Sequence, residues 1–160
     1  MMDTITKFRL NYLLIPLFVI ITASAASYFA DTGKQWYQTI QLPVWTPPNS
    51  LMVAMWAAIF ILAAISLLLI WNRNFDEKKF KLIIGQFVLN AFLIVGWNIF
   101  FFTFQQIAFS FFIAVLIVAN LLSLVFLVWP VCKLAACLLI PYSLWVAFAT
   151  LLTLNVWLIN

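Results

Sequence analysis

Histidine is absent from this sequence. Its absence removes the commonest haem ligand and the usual general base near neutral pH. Charge is scarce: four acidic and eight basic residues make up 8% of the chain, against about 25% in a soluble domain. None of them falls well inside an apolar run, which argues against the intramembrane acid and base relays of proton-coupled transport. The two cysteines, Cys132 and Cys137, have no histidine nearby to complete a metal site and read as small buried apolar residues. No metal site, resident cofactor or hydrolytic centre is expected.

What fills the sequence instead is apolar: 68% hydrophobic residues and a mean hydropathy of +1.17. That composition belongs to an integral membrane protein. At about 20 apolar residues per span, the length accommodates an all-α bundle of five transmembrane helices forming one domain over 1–160, with spans near 10–30, 50–71, 82–104, 107–129 and 134–158. The first run also imitates a secretory signal, with Lys7 and Arg9 ahead of it and Ala23-Ser24-Ala25 as a cleavage-like site. A retained span is preferred because the apolar character continues through Tyr28 and Phe29.

The net charge of +4 does not point to nucleic acid, because the basic residues sit at the ends of apolar runs and form no stripe with exposed aromatics. Their expected partner is the lipid surface. With five spans, Lys7, Arg9, Arg73, Lys78, Lys79, Lys81 and Lys133 share one side, leaving Lys34 alone on the other. The positive-inside rule then predicts a cytoplasmic N-terminus and an external C-terminus, in a bacterial cell membrane.

The stretch at 31–49 interrupts this pattern. Pro43, Pro47 and Pro48 remove backbone donors and push the preceding residues into extended conformations, so a loop is expected from Trp36 to Asn49, with Asn49 or Ser50 capping the next helix. Trp36, Tyr37 and Trp45 make it an aromatic loop on the outer side, read as a lid; an interfacial aromatic belt without a ligand is the other reading. Beneath a lid, Trp56 and Phe60 on the second span and Tyr142 and Trp145 on the fifth would form a pocket for a flat apolar ligand, with Gln86, Asn90 and Asn98 as amides at depth. Alternatively, the rings pack the spans together and the amides join helices.

The pattern Trp36-Tyr37-x-x-Ile40-x-Leu42-Pro43-x-Trp45-x-Pro47-Pro48, with Trp56 following, resembles the translocator protein family, the tryptophan-rich sensory (TspO/MBR) proteins. Trp97-x-x-x-Phe101-Phe102 and Pro141-Tyr142-x-x-Trp145-x-x-Phe148 are similar to its third and fifth spans. The resemblance covers nearly the whole chain. It implies a five-helix bundle, usually homodimeric, that binds porphyrins, and in some members sterols or synthetic ligands; some bacterial members degrade protoporphyrin with light and oxygen. By the same resemblance the site would take Tyr37, Pro47, Trp56, Phe60, Trp97, Trp145, Ala147 and Phe148, with Trp56 and Trp145 matching the tryptophans implicated in porphyrin chemistry. The chain departs from the family at Leu42, where a lysine is usual, and at Ile94 and Thr153, where asparagines are usual. These changes make the pocket less polar.

The leading expectation is a membrane receptor or carrier for porphyrins and related flat hydrophobic ligands. The rivals are an enzyme degrading porphyrin through tryptophan redox chemistry, with Trp56 and Trp145 as its catalytic residues, and a structural membrane subunit without a small ligand. Small residues at Gly85 and Gly96, or Ala119 and Ser123, would serve a homodimer by allowing close helix approach.

Overall fold

The computed structural model describes residues 2–160, with side chains from Leu10 onward; Lys7 and Arg9 lie outside the described side chains. Helix α1 spans Met2–Thr32, a short α2 spans Lys34–Tyr37, and α3 spans Asn49–Trp71. Helix α4 (Glu77–Asn98) continues into a π-helical turn over Ile99–Thr103, and α5 (Ile107–Val128) and α6 (Lys133–Ile159) complete the chain. Among the described residues, five helices are long and apolar enough to cross a membrane: α1 from Leu10, α3, α4 with its π turn, α5 and α6.

The five long helices close a ring. Helix α1 packs on α3 and α4, α3 on α6, α6 on α5, and α5 on α4. Ile59, Ile70, Ile83, Leu121, Leu124 and Leu139 fill the interior almost completely shielded, while Leu13, Ile20, Phe92, Phe126, Leu144 and Leu158 point outward and exposed. An apolar exterior of this extent is suited to hydrocarbon, where each helix satisfies its own backbone.

Local sequence explains the ends. Asp76 caps α4, its carboxylate accepting from the Lys79 backbone N–H at 2.9 Å, so the third span starts at Glu77, five residues before the expected Leu82. The π turn closes with Phe104 N–H donating to the Ile99 carbonyl at 2.9 Å. Gln105 then reverses the chain with a φ of 57°, a left-handed conformation that costs a side-chain-bearing residue about 1–2 kcal/mol. Pro16 and Pro141 lie inside continuous helices.

The lid segment is more ordered than its prolines suggest. Helix α1 runs on to Thr32, and Trp36 and Tyr37 belong to α2, which Tyr37 N–H closes onto the Gly33 carbonyl at 2.9 Å. Pro43 restrains only Leu42 before it, so one helical turn fits upstream. The expected Asn49 or Ser50 cap does not form: Pro48, extended at ψ 148°, occupies the cap position without a side-chain hydrogen bond, and both residues already lie in the first turn of α3. Cys132 is buried, whereas Cys137 is exposed on the outside of α6, contrary to the expectation that both are buried. One turn plus a residue carries Cys137 away from the face that Cys132 shares with the core.

Candidate functional site

Three attachments hold the loop over the end of the ring. The first is backbone against backbone: a Cβ placed on Gly33 would lie 2.3 Å from the Phe102 carbonyl oxygen, so only glycine allows the α1–α2 corner to sit on the π turn. Beside it the Thr32 and Thr103 hydroxyls pair at 2.7 Å. The second is aromatic. Trp36 meets Phe101 edge-on at 5.6 Å between ring centroids, and Tyr37 packs on Phe101 and Phe102 at 6.2 and 5.7 Å. Burial pushes the Tyr37 phenol above its ordinary pKa and keeps it neutral. The third is at the other end of the loop, where the Gln41 N–H donates to Asn160 Oδ1 and Asn160 Nδ2 donates to the Gln41 carbonyl, each at 2.9 Å.

Between these points a turn forms at Pro43–Thr46, closed by Thr46 N–H to the Pro43 carbonyl at 2.9 Å. It places Trp45 edge-on to Phe148 at 5.6 Å. Phe148 in turn stacks on Trp145 at 5.3 Å. On α4, Trp97 stacks on Phe101 at 4.9 Å and 13°; on α3, Trp56 lies 6.1 Å from Phe60.

Below these rings runs a chain of buried polar groups. The Tyr142 hydroxyl donates to Asn90 Oδ1 at 2.7 Å, Asn90 Nδ2 donates to Asn120 Oδ1 at 2.9 Å, and Asn120 Nδ2 donates to the Gln86 side-chain carbonyl. It ties α6, α4 and α5 together at one depth. Asn90 and Tyr142 thus spend their polar groups on each other and on Asn120, as helix-joining amides do. Asn98 donates to its own helix at the Ile94 carbonyl, 2.9 Å away.

At about 1.5 Å rise per residue, Trp145 stands about 4.5 Å along α6 from Tyr142, and Trp97 about 10 Å along α4 from Asn90, both towards the loop. Trp56 lies about 10 Å into α3 from its loop end. Phe60, Asn90 and Tyr142 border one cavity of about 30 Å³, room for little more than a water molecule. The sequence-derived residues therefore fall in three groups: Phe60, Asn90 and Tyr142 around that small cavity, Tyr37 and Trp97 on Phe101, and Trp145 with Phe148 under Trp45. Trp56 packs on Phe60 of the first group. Pro47 and Ala147 are half-buried beside them. The cavity beside Phe60, Asn90 and Tyr142 is, in this conformation, far smaller than a large flat ligand.

Two features were not singled out in the sequence. Asn120 is the hub of the polar chain, and a lone amide within the apolar run of α5 was its signal. Asn160 holds the loop from a position 119 residues away, with no local pattern to announce it.

One property of the site is left unbalanced. The indole Nε1 groups of Trp97 and Trp145 are buried and, among the described residues, have no hydrogen-bond partner. A buried donor without an acceptor costs about 1–3 kcal/mol, and here two such donors stand on the loop side of the polar floor.

The pattern describing the TspO/MBR family matches residues 12–158. The chain belongs to the TspO/MBR family. It is 33% identical to the tryptophan-rich protein TspO of Bacillus cereus, over 84% of this chain and 87% of that one. It is 30% identical to the translocator protein of Ovis aries, covering 81% and 78%, and 25% identical to protein CrtK of Rhodobacter capsulatus, covering 89% of each. With its five apolar helices, this TspO/MBR chain is an integral, multi-pass membrane protein.

Proposed function

We propose that this TspO/MBR protein is a receptor or carrier for porphyrins and related flat hydrophobic ligands, held between the 38–48 loop and the Asn90–Tyr142 floor. The observation that carries the reading is the pair of buried, unpartnered indole N–H groups of Trp97 and Trp145. A planar ligand entering among Trp56, Trp97, Trp145 and Phe148 would gain stacking area, and an acceptor on it would satisfy the two donors. Because the cavity bordered by the floor residues is only about 30 Å³, binding requires the loop rings to move aside. The test replaces Trp97 and Trp145 singly by Phe, which keeps much of the ring surface and deletes the donor. Each should weaken porphyrin affinity about tenfold; affinities equal to the parent's would assign these residues to packing alone.

The enzymatic reading has one specific observation in its favour. Trp145, Phe148 and Trp45 form a continuous aromatic path, with steps of 5.3 and 5.6 Å, from a half-buried indole to the exposed loop. If Trp145 exchanges electrons with bound porphyrin, illumination in oxygen gives a new absorbing product in the parent, and Trp145→Phe abolishes it. Intact porphyrin recovered from the illuminated parent returns the reading to binding.

The same proposal places the basic α3–α4 and α5–α6 turns in the cytoplasm and the loop outside, in a bacterial cell membrane. A homodimer would form through the outward face of α4, where Gly85 and Gly96 have open space at their Cβ positions and Phe92 is 73% exposed.

A further inference from the structure

The inner end of the bundle holds a second, larger cavity, of about 170 Å³, between α1, α3 and α4. Ile15, Phe18, Leu67 and Phe87 form apolar walls, and among the described residues no ionisable side chain borders it. An apolar cavity of about 150 Å³ takes up a benzene molecule, so this one has room for a ring or a comparable length of alkyl chain. Its rim includes Leu14 and Val88, 45% and 38% exposed on the outer surface of the bundle. Access is therefore from the bilayer.

One polar group interrupts the walls. Asn11 is only 2% exposed. Its Nδ2 donates to Asn72 Oδ1 at 2.8 Å, while its Oδ1 is buried without a partner among the described residues. Turning both amides over would only exchange the orphan, leaving Nδ2 unpaired in place of Oδ1. The orphan atom is closed off from the cavity in this conformation, so a small turn of the Asn11 side chain has to present it; a hydroxyl group then answers either arrangement, because it both donates and accepts. A trapped water is a poor substitute, since it needs two to four polar partners and this site offers one unpaired group. Asn72 ends α3 and Trp71 borders the cavity, which sets Asn11 at the depth of the lipid headgroup boundary, where the hydroxyl of a single-chain amphiphile resides.

We infer that this cavity binds the hydroxyl end of a neutral, single-chain membrane amphiphile, a long-chain alcohol, with the hydroxyl on the Asn11 amide and the first carbons of the chain between Ile15, Phe18, Leu67 and Phe87. The cavity adjoins the small one beside Asn90 and Tyr142, sharing Phe18, Leu67 and Phe87 as walls, but the inference does not rest on porphyrin binding.

The experiment uses the full chain in phosphatidylcholine nanodiscs and hexadecanol carrying a photoreactive diazirine near its hydroxyl, with crosslinks mapped by mass spectrometry. Labelling should saturate, concentrate on residues 14–18 and 84–88, and be competed by hexadecanol about fivefold better than by hexadecane, the worth of one hydrogen bond. Asn11→Leu should abolish that preference. Val88→Trp, at the exposed rim and outside the core, should block the opening and reduce labelling severalfold even if Asn11→Leu fails to fold. Equal competition by hexadecane would reduce the site to an apolar gap and overturn the proposal. So would labelling spread over all the lipid-facing helices and indifferent to Val88→Trp.

Discussion

The Tyr142 hydroxyl donates to Asn90 Oδ1 at 2.7 Å, joining α6 to α4 in the middle of the bundle. Through Asn90 and Asn120 the connection reaches Gln86, so a single polar chain fixes the mutual rotation of three helices.

Breaking the hub should therefore matter more than breaking the end. Asn120→Leu leaves both Asn90 and Gln86 without their shared partner and is expected to destabilise the fold by about 1–2 kcal/mol, whereas Tyr142→Phe removes one bond and should cost about 0.6 kcal/mol. Reversible unfolding in detergent measures both. An Asn120→Leu protein as stable as the parent would show that the chain of amides is not a structural tie.

Gly33→Ala should detach the α1–α2 corner from the π turn. The added methyl would meet the Phe102 backbone, which has no alternative rotamer to adopt, so a loss of about 1–3 kcal/mol is expected, as for other overpacked positions. Limited proteolysis within 38–45 should accelerate in parallel. Unchanged stability and cleavage would contradict the contact.

How much of this was legible in the sequence differs by feature. The five spans and their turns were, because length in an apolar run and charge at its ends suffice. Which face of each span is buried was not: in lipid the outward face is as apolar as the inward one, so periodicity is weak. Cys137 illustrates the consequence, an apolar-looking residue that faces outward. The neighbours Trp56 and Phe60 were readable from their four-residue spacing, whereas the Asn11–Asn72 and Gln41–Asn160 bonds join residues 61 and 119 positions apart and need the closed ring to bring them together. Gly33 gave no sign of its role, since the backbone it touches comes from a different span.

Asn160→Ala should free the middle of the loop without unfolding the bundle. Two hydrogen bonds to the Gln41 backbone N–H and C=O are lost, each worth about 0.5–1.5 kcal/mol, and the exposed position limits the effect on the core. Hydrogen exchange at the Gln41 amide should rise at least tenfold, with the melting temperature nearly unchanged. Exchange as slow as in the parent would mean that Trp45 against Phe148 holds the loop by itself.

The charge asymmetry predicts the orientation. In a variant lacking Cys132 and Cys137, a cysteine at position 34 should react with an impermeant reagent applied from outside, and one at position 79 should be protected until the membrane is opened. Labelling of position 79 with position 34 protected would reverse the topology.

The most direct test of the central claim is titration of the parent protein in nanodiscs with protoporphyrin, followed through tryptophan fluorescence. Saturable quenching at one porphyrin per chain is expected, weakened about tenfold in Trp97→Phe and in Trp145→Phe. Quenching that rises linearly without saturation, and is the same in both variants, would contradict it.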